Sequence, residues 1–366
     1  MSLTLWNDFF LDKIIIILYN HLRFMETRYI NSHNWHNFLL NQVEAYDIFS
    51  LFNQGDADYI YSKLSTENLK NTTVGKYRSL SPVKSFFFSP SEKLVPPVSK
   101  KPQIIVGVKA CELAHLRLLD EMFLGGEPSP FREDLEKELG KYKDPIYEEA
   151  RKNTIIISAD CTSAKDTCFC SKIEGQPYPT YGFDINLRPI KNGFVVELLS
   201  EKGKKLIENS DSLFQNAVQE HLDESEKSRY EVKELILKAN KDFNPAFTFN
   251  KTDLWKDVSK ECVECGGCRF VCSTCYCFLL GELPNFEKFR LWDACQFKGY
   301  ARVAGGASSR STKEKRYKNL YSCKFDYRKQ NFGFYACSGC GRCIEVCPAE
   351  IDIRKVLTRI HANNSR

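Results

Sequence analysis

The sequence predicts an α+β protein in which an N-terminal α/β domain with a mixed sheet precedes a smaller, mostly α-helical domain. Two short β-branched runs, residues 103–108 and 154–158, are typical of strands buried in a parallel or mixed sheet. Asn192–Gly193 separates two further apolar runs and predicts a two-residue hairpin turn. Beyond residue 250 strand-like runs are scarce, and cysteine-bounded loops joined to short helices replace them. The two kinds of structure therefore follow one another along the chain.

The chain of 366 residues is long enough for two domains and a further small segment. We predict the domain boundary near residue 250, which gives an N-terminal domain over residues 25–250 and a C-terminal domain over residues 251–366. The composition, 43% apolar and 27% charged, is that of an ordinary globular protein. The net charge of +5 is too small to require a nucleic-acid partner.

Residues 1–24 fit poorly with the sequence that follows, and we interpret them as an N-terminal extension. Met25 opens a pattern typical of a domain start, a short strand followed by a helix that Ser32 or Asn34 would cap. The extension is either a dispensable segment or a mis-assigned start, or an amphipathic anchor to a partner or membrane surface. Its apolar run, residues 14–19, is too short to span a membrane, and a small-residue cleavage site is lacking.

Sixteen cysteines are the unusual feature of the composition. Disulfides would require an oxidising compartment, and the N-terminus offers neither a signal peptide nor a membrane span. The sequence therefore favours a reducing cytoplasmic location, where clustered cysteines usually bind metal.

In the N-terminal domain a cysteine closely follows each β-branched run. Cys111 follows the first run and Cys161 the second, at the sheet edge where α/β domains usually place their sites. The other predicted elements are an amphipathic helix over residues 113–123, hairpin strands over residues 183–188 and 194–199, and charged helices over roughly residues 200–240.

Two copies of a CxxCxxCxxxC motif dominate the C-terminal domain. The first consists of Cys262, Cys265, Cys268 and Cys272, and the second of Cys337, Cys340, Cys343 and Cys347. Three cysteines at a spacing of three wrap a tight loop around one face of a [4Fe–4S] cubane, and the fourth points toward the other cluster. Cross-ligation is therefore expected, with one cluster held by Cys262, Cys265, Cys268 and Cys347, and the other by Cys337, Cys340, Cys343 and Cys272.

Glycines and arginines accompany the motif cysteines. The turns and the amide–sulfide contacts would depend on Gly266, Gly267, Gly339 and Gly341. Arg269 and Arg342 would raise the cluster potentials. The main alternative, a Cys₄ zinc site, needs two CxxC pairs and no further cysteines at these spacings. A compact bacterial ferredoxin is disfavoured because 64 residues separate Cys272 from Cys337, which suits a helical dicluster ferredoxin domain with an inserted segment.

Other cysteines leave two questions open. Beside the first motif lie three further cysteines, Cys275, Cys277 and Cys295. They either offer an alternative cluster ligand or are simply buried small residues. The N-terminal domain contains four cysteines, Cys111, Cys161, Cys168 and Cys170. They either bind a third iron–sulfur cluster or are scattered core thiols.

Distinctive stretches of the chain are CVECGGCRFVCSTCYCF, RLWDACQF and CSGCGRCIEVCPAEIDI, with YRSLSPVKSFFF, GVKACELAHLRLLD and DCTSAKDTCFC upstream. Together they resemble the iron–sulfur β subunit of cytoplasmic sulfhydrogenases and the A subunit of anaerobic sulfite reductases. The resemblance covers about residues 25–366. It departs from the family at Ser273, where the family usually has proline. Because that proline shapes the loop rather than binding iron, little effect is expected.

The resemblance implies an electron-transfer subunit of an oxidoreductase complex that has no catalytic residues of its own. Such a subunit relays electrons between a flavoprotein subunit, which handles FAD and NAD(P)H, and a catalytic hydrogenase or sulfite reductase subunit. It implies two [4Fe–4S] clusters on the eight motif cysteines. The terminal acceptor stays open between proton or sulfur reduction, sulfite reduction and other flavin-linked couples.

Two other functions compete with the relay. A catalytic iron–sulfur subunit like that of heterodisulfide reductases shares the helical dicluster domain, but its catalytic cluster uses adjacent cysteines, and this chain has no Cys–Cys pair. The basic segment over residues 313–329, with its interleaved aromatic residues, could bind single-stranded nucleic acid. We favour a solvated or partner-facing segment that screens the negative clusters, and we expect no nucleic-acid partner.

Overall fold

The structure is a computed structural model that describes residues 26–55, 58–95, 101–125, 143–244, 247 and 254–364. The predicted extension, residues 1–24, lies outside the described residues, as does the predicted domain boundary near residue 250. The division of the chain into domains therefore stays a prediction.

The described residues contain twelve strands. In chain order they are β1 (Glu26–Asn31), β2 (Asp47–Asn53), β3 (Tyr59–Lys63), β4 (Thr72–Thr73), β5 (Ser91–Lys93), β6 (Gln103–Val108), β7 (Thr154–Ala159), β8 (Ile185–Ile190), β9 (Gly193–Leu198), β10 (Gln215–Asn216), β11 (Phe278–Glu282) and β12 (Lys288–Trp292).

The α-helices of the described residues surround these strands and fill the C-terminal part. They are α1 (Ser32–Gln42), α2 (Ala110–Phe123), α3 (Pro145–Lys152), α4 (Glu201–Glu208), α5 (Gln219–Ala239), α6 (Leu254–Val258), α7 (Gly267–Phe270), α8 (Lys313–Ser322), α9 (Arg328–Phe332), α10 (Arg342–Glu345) and α11 (Ile353–Asn364), with a π-helical turn, Cys323–Tyr327, between α8 and α9.

The main sheet is mixed, as the sequence predicts. Its strand order is β10-β1-β9-β8-β7-β6-β2-β3, and β4 also pairs with β2. The four central strands β8, β7, β6 and β2 run parallel, while the flanking strands pair antiparallel. The predicted α+β class with a mixed sheet is thereby confirmed, and the two β-branched runs lie side by side at its centre.

Strand β6 shows how the sheet separates two apolar layers. Ile104 and Val106 pack with helices α1 and α4 on one face, whereas Ile105 and Val108 pack with α2 and α3 on the other. Gly107 has a φ of 86° and produces the register shift that turns Val108 to the second face. A side chain at this position would collide with Leu51.

The C-terminal helices form a third core that also reaches into the N-terminal part. Trp255, Tyr321, Phe325 and Leu357 pack there with Phe169, which comes from the loop after β7. A second, three-stranded sheet has the order β11-β12-β5, so a hairpin of the C-terminal part pairs with an N-terminal strand. Both contacts hold the cysteine-rich loops against the carboxyl edge of the main sheet.

Local predictions agree with the structure except at one helix cap. Strand β6 has the predicted bounds, and the hairpin strands differ from prediction by one or two residues. The cap of α1 is Asn31 rather than Ser32 or Asn34, because its Oδ1 accepts a hydrogen bond from the Asn34 amide at 2.8 Å. The predicted strand supplies the capping residue.

Candidate cluster-binding site

The two cysteine motifs follow the same backbone course. Helix α7 begins after Gly266, whose φ is 75°, and α10 begins after Gly341, whose φ is 79°. Two residues before each of these glycines, Glu264 (φ 57°) and Gly339 (φ 66°) are also left-handed. Two left-handed turns in each loop bring three successive thiols to one side, which is the local shape that the spacing predicts.

Thiols of both motifs line one cavity, which we call the first thiol group: Cys262, Cys265, Cys268 and Cys347. Cys343 reaches the same cavity, and aromatic residues such as Tyr317 and Tyr321 form its wall. Burial raises the pKa of Cys268 to about 11. The structure thus brings together the four cysteines that the sequence assigns to one cluster, including the fourth cysteine of the other motif.

The second thiol group consists of Cys337, Cys340, Cys343 and Cys272. Burial raises the pKa of Cys337 to about 12, and charges on Cys340 and Cys272 add to this shift. The pKa of Cys343 is raised well above its ordinary value, first by burial and then by the charges of all three other members. Such mutual repulsion shows that the four predicted thiols lie close together in a poorly solvated place.

Buried cations accompany the second thiol group. Lys324 Nζ donates to Cys272 Sγ at 2.9 Å and to Thr274 Oγ1 at 3.1 Å. Although burial lowers it, the thiolates of Cys272 and Cys275 raise the pKa of Lys324 well above its ordinary value. On the other side, Arg342 Nη1 donates to Cys340 Sγ at 3.9 Å. A buried cation needs an anionic partner, which the Cys272 thiolate supplies for Lys324 and the Glu112 carboxylate supplies for Arg342.

The third thiol group consists of the N-terminal cysteines: Cys111, Cys161, Cys168 and Cys170. Cys111 follows β6 and Cys161 follows β7, and these strands are parallel neighbours, so both thiols lie at the carboxyl edge of the sheet. Burial raises the pKa of Cys161 to about 12, and the charge of Cys168 contributes. The pKa of Cys170 is also raised, by burial and then by Cys161 and Cys168. The fold therefore gathers these cysteines as the sequence allows.

The third thiol group lies directly against the second motif. The amide of Phe169 donates to the Gly339 carbonyl at 2.8 Å. A Cβ on Gly339 would lie 2.5 Å from the Cys170 nitrogen, and one on Gly341 would lie 2.5 Å from the Thr167 carbonyl oxygen. Both glycines are required for this close approach as well as for their positive φ. Charge on Cys340 also raises the pKa of Cys111, after burial and Glu112.

A buried carboxylate joins the two motifs to the N-terminal part. Glu112, in α2, is 1% exposed and pairs with Arg342 of the second motif. Its Oε2 accepts a 2.6 Å hydrogen bond from Ser273 Oγ, which follows the last cysteine of the first motif, and a 3.0 Å bond from the Val83 amide. Despite the burial that opposes ionisation, Arg342 and these donors lower the pKa of Glu112.

Comparisons with known proteins agree with this arrangement. Residues 261–351 match the family of the 4Fe-4S dicluster domain. The chain is 30% identical over 303 residues to sulfhydrogenase 2 subunit beta of Pyrococcus furiosus, which is 77% of this chain and 84% of that protein. The chain belongs to the sulfhydrogenase β-subunit family.

A second relative matches a smaller part of the chain at lower identity. The F420-dependent formate dehydrogenase subunit beta of Methanocaldococcus jannaschii is 20% identical over 168 residues, which cover 45% of this chain and 38% of that protein.

The 4Fe-4S dicluster domain that residues 261–351 match is a two-cluster domain and implies two [4Fe–4S] clusters in this chain. Among the described residues no helix is long and apolar enough to cross a membrane.

The cysteines outside the three thiol groups each contact another cysteine or lie near one. Cys275 is hydrogen-bonded to Cys272, and Cys277 to Cys295. Cys323, which sequence reasoning did not single out, lies near Cys272 and Cys295. The sequence alone does not distinguish these thiols from ordinary core cysteines, because their contacts form only in the folded protein.

The basic segment is partly internal and partly exposed. Tyr317, Tyr321, Phe325 and Lys324 are at most 4% exposed, so these side chains cannot stack on a nucleic acid, whereas Tyr327 is 46% exposed. The prediction of a solvated segment is therefore wrong for the buried residues, among which Lys324 does screen thiolate charge, and a partner-facing role of the exposed residues stays a prediction. Sequence reasoning missed both Lys324 and Glu112. A glutamate on the apolar stripe of α2 was the available signal for Glu112.

Proposed function

We propose that this chain is the iron–sulfur electron-transfer subunit of an oxidoreductase complex. It relays electrons between a subunit that handles FAD and NAD(P)H and a catalytic subunit of hydrogenase, of the sulfhydrogenase type, or of anaerobic sulfite reductase. The observation that carries the proposal is the succession of three thiol groups. The third group contacts the second motif, and the two motifs approach each other: Cys343 and Cys347 of the second motif line the cavity of the first thiol group, and Cys272 of the first motif lies near Cys343.

We propose one cluster for each thiol group. The first group would hold one [4Fe–4S] cluster and the second group another, with Cys347 and Cys272 exchanged between the motifs. The third group would hold a third iron–sulfur cluster. When bound, these clusters supply reversible one-electron chemistry. The donor sets fit, because each offers four thiols within a buried or partly buried site.

The protein's own residues prepare these sites for negative charge. Lys324 and Arg342 place cations beside Cys272 and Cys340. Lys109 does the same beside the third group, since its buried Nζ is held by the carbonyls of Gly75 and Asp160 at 2.8 and 2.9 Å. Fixed, buried cations favour the more negative, reduced state of a neighbouring centre and would raise its reduction potential.

The partners are proposed from the relatives' names and from the first thiol group. Both relatives are named as β subunits of larger oxidoreductases. Cys265 of the first group is exposed, and the neighbouring Val263 is 65% exposed, so a partner's redox centre could approach here. Transfer at a surface-exposed centre requires no conformational change in this chain. We propose a cytoplasmic location for the complex.

Native isolation tests the relay. The intact complex should be purified anaerobically from its host and its subunits identified by mass spectrometry. A flavoprotein together with a nickel–iron hydrogenase pair would select the sulfhydrogenase function, and a siroheme protein would select sulfite reduction. A stable monomer that turns over a substrate by itself would contradict the relay and favour the alternative, a catalytic subunit like that of heterodisulfide reductase.

Iron and sulfide analysis of the purified chain counts the clusters. Two cubanes give about eight iron atoms per chain and a third gives about twelve. The substitution Cys168→Ser should lower the count by one cluster if the third group binds iron. Cys323→Ser, which changes a half-buried thiol outside all three groups, is the matched control and should leave the count unchanged. A count of about eight in both variants and in the unmodified chain would overturn the third site.

A further inference from the structure

Two cysteines outside the three thiol groups meet at the open end of the β11–β12 hairpin. Cys277 precedes β11, and Cys295 lies three residues after β12. Strand pairing continues past the strands, because the Asp293 amide donates to the Cys277 carbonyl at 2.8 Å. The two thiols are hydrogen-bonded to each other, and Cys295 is 5% exposed. The hairpin thus fixes two thiols in contact, of which Cys295 is buried and Cys277 is half-buried.

The surroundings of this pair favour a thiolate on one sulfur. Arg269 is 3% exposed, and within the described part of the chain its Nε and Nη2 have no hydrogen-bond partner. The hydrogen bond from Cys277, followed by the charge of Arg269, lowers the pKa of Cys295 to about 5. Conversely, this hydrogen bond and burial raise the pKa of Cys277. Cys277 is therefore the thiol that donates, and Cys295 is the thiolate that accepts.

The cysteine nearest in sequence to this pair is held elsewhere. Cys275, the cysteine nearest in sequence to Cys277, is instead hydrogen-bonded to Cys272 and lies 3.6 Å from Lys324 Nζ. Two contacting thiols, one ionised, are the arrangement from which a disulfide forms.

The pair is adjacent to the first thiol group. Gln296, the next residue after Cys295, accepts a 3.3 Å hydrogen bond from Cys268 Sγ and donates to Cys262 Sγ at 3.8 Å. Arg269 follows Cys268 in the chain. One residue on each side therefore connects the pair to cysteines assigned to the first cluster.

We propose that Cys277 and Cys295 form a redox-active dithiol that closes to a reversible disulfide and exchanges two electrons with the neighbouring iron–sulfur clusters. The electron partner rests on the proposed function; formation of the disulfide does not. In the reductive direction the S–S bond breaks as it takes up two electrons, which the proposed neighbouring clusters would supply one at a time, and one proton is taken up at Cys277. Cys295 leaves as the thiolate beside Arg269. The reverse reaction forms the S–S bond and returns the two electrons and the proton. Such a pair would store two electrons beside one-electron carriers.

Disulfide mapping at controlled potential tests the proposal. The full chain with its clusters is poised anaerobically at a series of potentials, quenched in acid, and alkylated under denaturing conditions before trypsin digestion. We expect a linked pair of peptides, residues 270–288 with residues 291–298, at oxidising potentials. The ratio of disulfide to dithiol should change tenfold per about 30 mV, as a two-electron couple requires. Fragmentation of the linked peptide must place the bond at Cys277 rather than Cys272 or Cys275.

Variants separate this pair from a metal site. Cys277→Ser and Cys295→Ser should abolish the linked peptide and leave the iron content unchanged, and Cys323→Ser should affect neither. Alkylation of both thiols at every potential, or a bond to Cys272 or Cys275, would overturn the proposal. So would a loss of iron in either of these two variants, since it would make the pair cluster ligands. If either variant fails to fold, mapping of the unmodified chain still decides.

The mapping also distinguishes two failures. If the relay is wrong but the dithiol is right, the disulfide forms in chemical redox buffer, while no electron-exchanging partner co-purifies. If the relay is right but the dithiol is wrong, partners and iron are found and the linked peptide is not.

Discussion

The two cysteine motifs share their spacing and their backbone course but have very different surroundings. The first motif lies near the surface, where Cys265 and Val263 are exposed. The second motif is covered by the loop that carries the third thiol group, and Arg342 at its centre is 2% exposed. Spacing therefore determines how a motif folds, whereas the fold around it determines whether its thiols face a partner or the interior.

One pair of equivalent positions expresses this difference. Both residues are left-handed, but the first motif has Glu264 where the second has Gly339. Glu264 extends to Arg316, at 2.7 Å, on the open side of its loop. At Gly339 any side chain would meet the backbone of Phe169 and Cys170. A glycine is needed where a second segment covers the loop, and a larger residue is tolerated where none does.

Breaking the buried ion pair at the second motif should have the largest effect. Glu112→Gln removes the carboxylate that pairs with Arg342 and leaves the buried guanidinium only the more distant Cys340 sulfur as a hydrogen-bonded counter-charge, which we expect to cost about 3–5 kcal/mol. The measurement is the anaerobic denaturant midpoint, followed through the cluster absorbance. Exchanging both partners, with Glu112→Gln and Arg342→Met together, should cost less than the sum of the two single changes. If the stability losses of the two single changes simply add, Glu112 and Arg342 do not stabilise the contact between the N-terminal part and the second motif as a pair.

Filling the space at Gly339 should have the next largest effect. Gly339→Ala places a Cβ against the Cys170 backbone at a positive φ, and we expect a loss of about 2–4 kcal/mol. Gly305→Ala is the matched control, because Gly305 has a φ of 81° and a Cβ added there would have no atom within 4 Å. That variant should lose only about 1–2 kcal/mol. Equal losses would show that backbone strain alone, and not the covering loop, requires the glycine.

Much of the site could be predicted because its thiols are related by local spacing. The loop shape of each motif and the strand before Cys111 follow from patterns within a few residues of one another, and the exchange of ligands between the motifs stays a prediction. Glu112, Lys324 and the Cys277–Cys295 pair could not be predicted, since each depends on segments that are distant in the sequence. Lys324 meets Cys272 from 52 residues away. The third thiol group could be predicted in part. Its position at the sheet edge was predictable, but the approach of the loop after β7 to Gly339 was not.

Removing the buried cation beside the second thiol group should shift its reduction potential. Lys324→Met deletes a positive charge 2.9 Å from Cys272 Sγ. The reduced cluster is the more negative state, so its potential should fall, by roughly 100 mV at an effective dielectric constant of about 20. Redox titration monitored by electron paramagnetic resonance measures this shift. Lys324→Arg should retain most of the potential, and Lys315→Met, which removes an exposed charge, should change it little. An unchanged potential in Lys324→Met would contradict the assignment of Cys272 to that cluster.

The smallest effect is expected at Ser273, the position where the resemblance led us to expect proline. Ser273 is fully buried and donates to the Glu112 carboxylate at 2.6 Å. Because Glu112 keeps Arg342 and the Val83 amide, Ser273→Ala should cost only about 1.5 kcal/mol. Ser338 is the matched control in the second motif, since its buried hydroxyl has no hydrogen-bond partner among the described residues. Ser338→Ala should be neutral or slightly stabilising in the same denaturant titration. If the two variants behave alike, the serine at 273 is a neutral replacement for proline, as the sequence alone suggests; if Ser273→Ala alone is weakened, that hydroxyl helps to hold the first motif to the buried carboxylate that also anchors the second.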